Sequence, residues 1–218
     1  MHQRWTELTF IHWAYEEKAL RPHIPDELTI DTFDGKAWLG LTPFVLTLAL
    51  PRTPPLPGLA LVPETNLRTY VRDGNGRGGI WFFSLDLPAL WAVVAARATF
   101  WLPYMWSEMT VRTQQRAITY RGHRRGGRAS YDISVAPGAE ITPGDFENFL
   151  TARWRLFTKI GRLFQVRVEH EPWPLSRARV LRLDQELVEA AGLPPPAGRP
   201  LAHFSTGVSV RVDLPRPV

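Results

Sequence analysis

The sequence of 218 residues contains no cysteine. This absence excludes a disulfide framework and any metal site built on thiolates. The chain has no run of about 18 uninterrupted apolar residues, so we expect no membrane-spanning helix. Its first residues, from Met1 to Trp5, do not begin an apolar stretch of the kind found in signal peptides. We therefore expect a cytoplasmic protein.

Lysine is also scarce. The sequence holds only Lys18, Lys36 and Lys159, and arginine supplies most of the positive charge behind the formal net charge of +5. The arginines are scattered along the chain, whereas a nucleic-acid surface requires clustered charge. We interpret the arginine-rich stretch at 121–128 as an exposed hairpin tip. The sequence therefore predicts no nucleic-acid partner.

The signatures of several common site types are missing. No two of the six histidines stand four residues apart, so the zinc-protease pattern is absent. No Gly-x-Ser-x-Gly segment is present, which leaves a serine hydrolase of that class unsupported. The glycine-rich segment 74–79 joins two predicted strands and begins no helix, unlike phosphate-binding loops. We expect neither a metal nor a cofactor.

The length and the 44% hydrophobic composition are those of one folded domain over residues 1–218. The 20 prolines and 16 glycines favour many short elements joined by turns. Asp34-Gly35, for example, is a strong hairpin signal between two alternating segments. Many strands with few helices predict an α+β protein built on a curled or closed antiparallel sheet.

Four local expectations can be compared directly with a structure. The first regular element is a short helix over Tyr15–Arg21. Pro43, inside a long predicted strand, indicates an edge strand or a bulge. The segment Pro51–Gly58 is a loop. Asp86 is expected to cap a helix that runs to about Phe100.

The predicted strand from Glu64 to Val71 carries polar side chains on one face. Period-2 alternation places Glu64, Asn66, Arg68 and Tyr70 together. That face could contact solvent, as in an ordinary half-buried strand, or it could line an interior cavity. Composition alone favours solvent, because antiparallel sheets often have one face in water.

The next predicted strand carries aromatic side chains on both faces. Trp81 and Phe82 point to opposite sides, so the strand is buried on both faces or forms one wall of a ligand pocket. Core packing is the favoured interpretation, because buried tryptophan and phenylalanine more often fill a core than bind a cofactor.

Several segments together resemble a known group of proteins. The chain resembles the acetoacetate decarboxylase-like superfamily and, more closely, an uncharacterised bacterial group called YqjF-like. The segments that carry the resemblance span nearly the whole chain and are residues 10–13, 17–33, 31–38, 64–71, 81–86, 102–104 and 170–175. The resemblance implies a strongly bent, largely antiparallel sheet closed into a barrel-like cone, with a few peripheral helices and a central cavity.

The resemblance also selects site residues. A glutamate in the matching strand of the decarboxylases faces the cavity, which makes Glu64, Asn66 and Arg68 ligand-binding candidates. The decarboxylases have an arginine and then a Pro-Lys pair, whose lysine forms a Schiff base with the substrate ketone. Arg97 matches that arginine, but Tyr104 stands in the place of the lysine. A phenol cannot form an imine, so Schiff-base decarboxylation is not expected.

Three functional alternatives follow. The first is a binding protein for an organic acid or carbonyl compound, with Arg68 or Arg97 pairing the anion and Tyr104 donating a hydrogen bond. The second is an enzyme of non-covalent acid/base chemistry, with Glu64 as the base and Tyr104 as the acid. The third is a structural or partner-binding module with a vestigial pocket, whose interior is filled by tryptophans. A homo-oligomer is compatible with each alternative. In the cavity alternatives, Arg68 is expected to keep Glu64 ionised.

Overall fold

The computed structural model describes residues 1–49, 61–127 and 129–218. Its strands are β1 (His2–Tyr15), β2 (Leu28–Ile30), β3 (Ala37–Ala49), β4 (Val62–Asp73), β5 (Gly78–Leu87), β6 (Tyr104–Gln114), β7 (Ala117–Arg124), β8 (Ser130–Glu140), β9 (Arg155–Ile160), β10 (Arg162–His170), β11 (Leu175–Gln185), β12 (Leu201–Val212) and β13 (Arg216–Pro217). Its helices are α1 (Glu17–Leu20), α2 (Leu90–Phe100), α3 (Asp145–Thr151) and α4 (Leu187–Ala190). No helix in the described ranges is long and apolar enough to cross a membrane. The predicted loop Pro51–Gly58 lies outside the described residues, as does Arg128 of the arginine-rich turn.

All of these strands join one strongly bent sheet. Neighbouring strands run antiparallel except at β5, which is parallel to both β6 and β9. Helix α2 connects β5 to β6 and provides the crossover that a parallel pair requires. The predicted α+β fold, with a bent and largely antiparallel sheet and few helices, is confirmed.

Two additional pairings, β4 with β5 and β10 with β12, close the sheet into two barrel-like rings. Both rings contain β12, β1, β3, β4 and β5. The first ring is completed by β6, β7, β8 and β11, and the second by β9 and β10. Strand β4 contributes Leu67 to one buried hydrophobic cluster and Tyr70 to another. This division follows from the alternation of side chains across a strand.

The chain begins with β1, which pairs with β12 on one side and β3 on the other. The helix predicted over Tyr15–Arg21 is therefore shorter than expected. Tyr15 lies in β1 opposite Ala37, and the α-helix itself spans only Glu17–Leu20. Pairing with two strands gives residues 2–15 a regular structure that local propensity did not indicate.

Pro43 lies in β3, which has β1 and β4 as neighbours, so the edge-strand alternative is wrong. The bulge alternative is confirmed. Thr6 and Ile11 of β1 pair with Val45 and Leu41 of β3, so β1 carries one extra residue opposite Pro43. Such a bulge interrupts the ladder where proline has no N–H to donate.

The expectation that Asp86 caps a helix is wrong. Helix α2 covers Leu90–Phe100, and its N-cap residue Ala89 makes no side-chain capping bond. Asp86 is fully buried within β5, where it accepts a hydrogen bond from Ser107 at 2.6 Å and pairs with Arg124 at 2.8 Å. The carboxylate thus has a buried cation as its partner instead of free helix N–H groups.

Candidate functional site

A cavity of about 230 Å³ lies inside the second ring. Every strand of that ring contributes to its lining, through Trp5, Leu46, Glu64, Phe82, Leu156, Val168 and Val212. Helix α2 covers the cavity with Trp91, Ala92 and Phe100. Most of the lining is apolar, so the few polar groups that face the cavity determine its chemistry.

Strand β4 supplies three of those polar groups. Glu64, Asn66 and Arg68 all line the cavity, and their exposed fractions are 7%, 4% and 6%. Placing this face in solvent, which composition alone favoured, is therefore wrong. Helix α2 and strands β9 and β10 cover the face, which is why the alternation within β4 does not lead to solvent. The three side chains therefore face an enclosed space inside the second ring.

Glu64 and Tyr104 meet at one end of the cavity. The Tyr104 hydroxyl donates to Glu64 Oε2 at 3.4 Å. Tyr104 reaches this position because it begins β6 beside Leu85 of β5, and β5 in turn pairs with β4. Burial raises the pKa of Glu64 to about 8, although hydrogen bonds from Tyr104 and Asn66 favour the ionised form. Glu64 is therefore mostly protonated at neutral pH.

The expectation that Arg68 keeps Glu64 ionised is wrong. Four residues along a strand span roughly 13 Å, so the two side chains share a face without touching. No ion pair joins them within the part of the chain that the structure describes. Desolvation therefore controls the ionisation of Glu64, without an opposing cation beside it.

Arg68 marks a second, basic end of the cavity. Its guanidinium carbon lies 5.3 Å from the centre of the Phe10 ring. Its buried Nε finds no hydrogen-bond partner, and no carboxylate of the described residues approaches within ion-pair distance. An unpaired cation in an apolar surrounding is costly. Arg68 is thus suited to receive an anion from outside the chain.

Two other residues of the cavity lining, Arg153 and His170, lie near Arg68, and neither adds an unpaired positive charge. Arg153 lines the cavity, but its Nη1 pairs with Asp31 at 2.7 Å. Its guanidinium also lies over the rings of Tyr70 and Phe149. Burial, with Arg68 nearby, lowers the pKa of His170, so this cavity-lining histidine is neutral at pH 7. Neither Arg153 nor His170 carries a negative charge, so neither residue neutralises Arg68.

Arg97 does not reach the cavity, which corrects its expected role in pairing an anion there. Its side chain is exposed in the last turn of α2, and its Nε donates to the backbone carbonyl of Tyr104 at 2.6 Å. Arg97 therefore helps to hold the start of β6 in place. Helical periodicity separates it from Ala92 and Ala96, which do line the cavity.

The aromatic strand divides as its alternation predicts. Phe82 lines the cavity, which fits the pocket-wall alternative. Trp81 packs against the opposite hydrophobic cluster, which fits the core alternative. Both side chains are only partly buried.

Sequence reasoning missed five polar residues of the site, namely Gln3, Thr151, Arg153, Arg155 and His170. Arg155 begins β9, and Arg153 lies two residues before it. Their period-2 spacing was the available signal, but it does not reveal which face is enclosed. His170 ends β10, and nothing in its immediate sequence indicates proximity to Arg68.

All three lysines of the sequence are among the described residues, and none lines the cavity. Lys36 pairs with Glu16, and Lys159 pairs with Glu27. Within the described ranges, no group of three histidine, aspartate or glutamate side chains is placed to hold a metal ion. The polar groups that line the cavity therefore include a carboxyl, a phenol, two amides, a hydroxyl, guanidinium groups and an imidazole.

Comparison with known proteins assigns the chain to a family. Residues 2–209 match the DUF2071 family, which is described as an uncharacterized conserved protein. The chain belongs to this family. It is 35% identical over 211 residues to the uncharacterized protein YqjF of Bacillus subtilis (strain 168), and the match covers 94% of this chain and 87% of the relative.

The DUF2071 chain also shares its fold with solved enzymes. An acetoacetate decarboxylase-like enzyme from Sphingomonas wittichii RW1 superposes with a TM-score of 0.69, at 13% identity, over 100% of this chain and 92% of that one. The enduracididine biosynthesis enzyme MppR, in complex with pyruvate, superposes with a TM-score of 0.66, at 13% identity, over 99% of this chain and 89% of that one. At this identity the likeness shows the fold alone, which is acetoacetate decarboxylase-like.

Proposed function

We propose that this DUF2071 protein binds a small organic acid in the cavity of its second ring. The observation that carries the proposal is Arg68, a buried guanidinium with an unpartnered Nε and no carboxylate near it in the described residues. A ligand carboxylate would supply the missing counter-charge and hydrogen bonds, for which the planar guanidinium is well suited. We place the protein in the cytoplasm as part of this proposal.

The opposite end of the cavity suits a carbonyl or hydroxyl oxygen. A protonated Glu64 and the Tyr104 hydroxyl, 3.4 Å apart, can both donate hydrogen bonds. Asn66 lies between these groups and Arg68 along β4, and its Oδ1 is buried without a partner. A ligand with a carboxylate at one end and an oxygen function further along would therefore match both ends.

The proposal excludes a Schiff base. The resemblance to the decarboxylases puts Tyr104 in the place of their lysine, and none of the three lysines present lines the cavity. A phenol lacks the amine that imine formation requires. Binding in this cavity is therefore non-covalent.

Isothermal titration calorimetry with pyruvate and its neutral amide, pyruvamide, tests the proposal. We expect pyruvate to bind about tenfold more tightly or better, a difference of about 1.4 kcal/mol. Arg68→Gln should remove that preference, and Arg68→Lys should retain part of it because it keeps the charge. Arg179→Gln is the matched control, since Arg179 is exposed on β11, lies outside the cavity and should leave both affinities unchanged. Equal binding of both compounds to the unmodified protein would refute the proposal.

Acid/base catalysis in the same cavity is the second candidate. It is favoured by the pKa of Glu64, which burial raises to about 8, and by the adjacent Tyr104 hydroxyl. A carboxyl that titrates near neutral pH can act as a general base, and a neighbouring phenol can donate to a developing enolate oxygen. Proton NMR in D₂O would detect exchange of the methyl protons of pyruvate. Exchange that Glu64→Gln abolishes supports an enzyme, and its absence in the unmodified protein leaves binding alone.

A further inference from the structure

We propose that the ligand is a dianion, of which a short dicarboxylate is the simplest case, with one anionic group at Arg68 and the second at Arg155. This inference rests on the proposed function and specifies the class of ligand. Both arginines line the cavity, and neither has a carboxylate partner among the described residues. The site therefore holds two positive charges that the chain leaves unbalanced.

Arg155 lies in an unusual electrostatic position. It begins β9 directly opposite Arg167 of β10, and like charges on facing positions of a strand pair are destabilising. Its Nε is buried without a hydrogen-bond partner. Burial lowers the pKa of Arg155, and the nearby charges of Arg77 and Arg167 lower it further, whereas Asp73 acts in the opposite sense. An anion beside Arg155 would relieve this repulsion.

The carboxylates near Arg155 already have other partners. Asp31 pairs with Arg72 and Arg153, at 2.8 and 2.7 Å. Asp73 pairs with Arg77 at 2.6 Å. The chain thus compensates the surrounding arginines and leaves Arg155 without a counter-ion in the described residues.

Glu169 completes this pattern on the neighbouring strand. Glu169 pairs with Arg211 at 2.5 Å and with Arg167 at 3.3 Å. Arg167, which faces Arg155, therefore has a counter-ion of its own. Each of the arginines around Arg155 is therefore matched to a carboxylate, namely Arg72, Arg77, Arg153 and Arg167. Within this group, Arg155 is the one without a carboxylate partner among the described residues.

The cavity provides a route between the two sites. Arg153, Arg155 and His170 line the cavity and also an outer groove that contains Arg72 and Arg167. Arg155 therefore stands in the wall between the interior and the surface, while Arg68 lies further inside on β4. A ligand with its first carboxylate at Arg68 can place a second one at this boundary, where it remains partly hydrated.

Paired titrations test the inference. Each dicarboxylate from malonate to adipate is compared with its own monoamide, which keeps the length and removes one charge. We expect at least one dicarboxylate to bind tenfold or more tightly than its monoamide at pH 7. Arg155→Gln should remove that difference without weakening monoamide binding, and Arg155→Lys should restore part of it. Arg179→Gln serves as the control outside the cavity.

The possible results separate this inference from the proposal on which it rests. If monoamides and dicarboxylates bind equally in every pair, and Arg68→Gln abolishes both, the ligand is a monoanion and the inference is overturned. If no member of either series binds but pyruvate does, the inference is overturned and the proposed function stands; if pyruvate does not bind either, both fail. Retention of the dicarboxylate preference in a folded Arg155→Gln variant would also overturn the role given to Arg155.

Discussion

Two buried arginines of this protein have opposite surroundings. Arg124 is 8% exposed, and its Nε and Nη2 donate to the Asp86 carboxylate at 2.8 and 2.9 Å. Its Nη2 also donates to Ser84 at 2.7 Å, and Ser107 completes the hydrogen bonds of Asp86. Arg68 is 6% exposed and has no such partner in the described residues. The first arginine is satisfied within the chain, and the second is not.

The difference separates a structural charge from one kept for a ligand. A bidentate pair with further hydrogen bonds offsets much of the desolvation of its two ions. An isolated buried guanidinium has no such compensation and weakens the folded state unless an anion arrives. Arg68 therefore supports the proposed binding site more strongly than the shape or the apolar lining of the cavity does.

The comparison predicts opposite effects of the same substitution. Arg124→Met should lower the free energy of unfolding by about 3–5 kcal/mol, because it leaves Asp86 buried without its cation. Arg68→Met should leave that free energy unchanged or raise it by about 1 kcal/mol, since it removes an uncompensated charge. Urea unfolding of both variants at pH 7, without added carboxylates, measures the two changes. Equal losses would show that Arg68 has a structural role like that of Arg124.

The Glu64 end of the cavity predicts a pH dependence of stability. The folded-state pKa of about 8 lies above the ordinary value of 4.5, so the folded protein holds a proton that the unfolded chain releases between these values. The stabilisation due to this group is complete below pH 4.5 and is lost as pH rises to about 8. Because of this group, the free energy of unfolding falls by about 1.4 kcal/mol for each pH unit between the two pKa values.

Glu64→Gln should remove this contribution. Unfolding experiments from pH 5 to pH 8 should therefore show a flatter profile for Glu64→Gln than for the unmodified protein. Exposed Glu171 supplies the control, and Glu171→Gln should leave the slope as it is. Identical slopes for the unmodified protein and Glu64→Gln would mean that Glu64 is ionised throughout and that both ends of the cavity are charged.

The last prediction is that no covalent adduct forms with a ketone, so the expected change in protein mass is zero. Incubation with acetoacetate and borohydride should leave the intact mass unchanged, because no lysine lines the cavity. Electrospray mass spectrometry checks this outcome. A stable adduct on Lys18, Lys36 or Lys159 would show that imine chemistry occurs here without the usual lysine.

Much of the fold could be predicted from local patterns. The Asp34-Gly35 turn forms, and both residues take the positive φ that a tight turn requires. The hairpin itself extends no further than the Phe33–Lys36 bridge, because β2 pairs with β4 and not with β3. Alternation in β4 correctly groups Glu64, Asn66 and Arg68. Local patterns did not predict β1, because that strand is stabilised by pairing with β3 and β12, which are distant in sequence from part of it.

The site could be predicted only in part, for the same reason. Residues share a strand face by spacing, but which face is covered depends on β9, β10 and α2, which are distant in sequence. Asp86 has the residue type of a helix cap, yet its partner is Arg124, which comes from a turn expected to be exposed. The expected ion pair between Glu64 and Arg68 does not form, because positions i and i+4 of a strand are roughly 13 Å apart.

The pH dependence of pyruvate binding tests most directly whether Arg68 acts in a cavity whose glutamate is protonated. Calorimetry from pH 6 to pH 10 should show a constant dissociation constant up to about pH 7 and weaker binding above pH 8, where ionised Glu64 repels the anion. Glu64→Gln should bind equally well throughout, and Arg68→Gln should bind weakly at every pH. Binding that is independent of pH in the unmodified protein, or unchanged by Arg68→Gln, would contradict this description of the site.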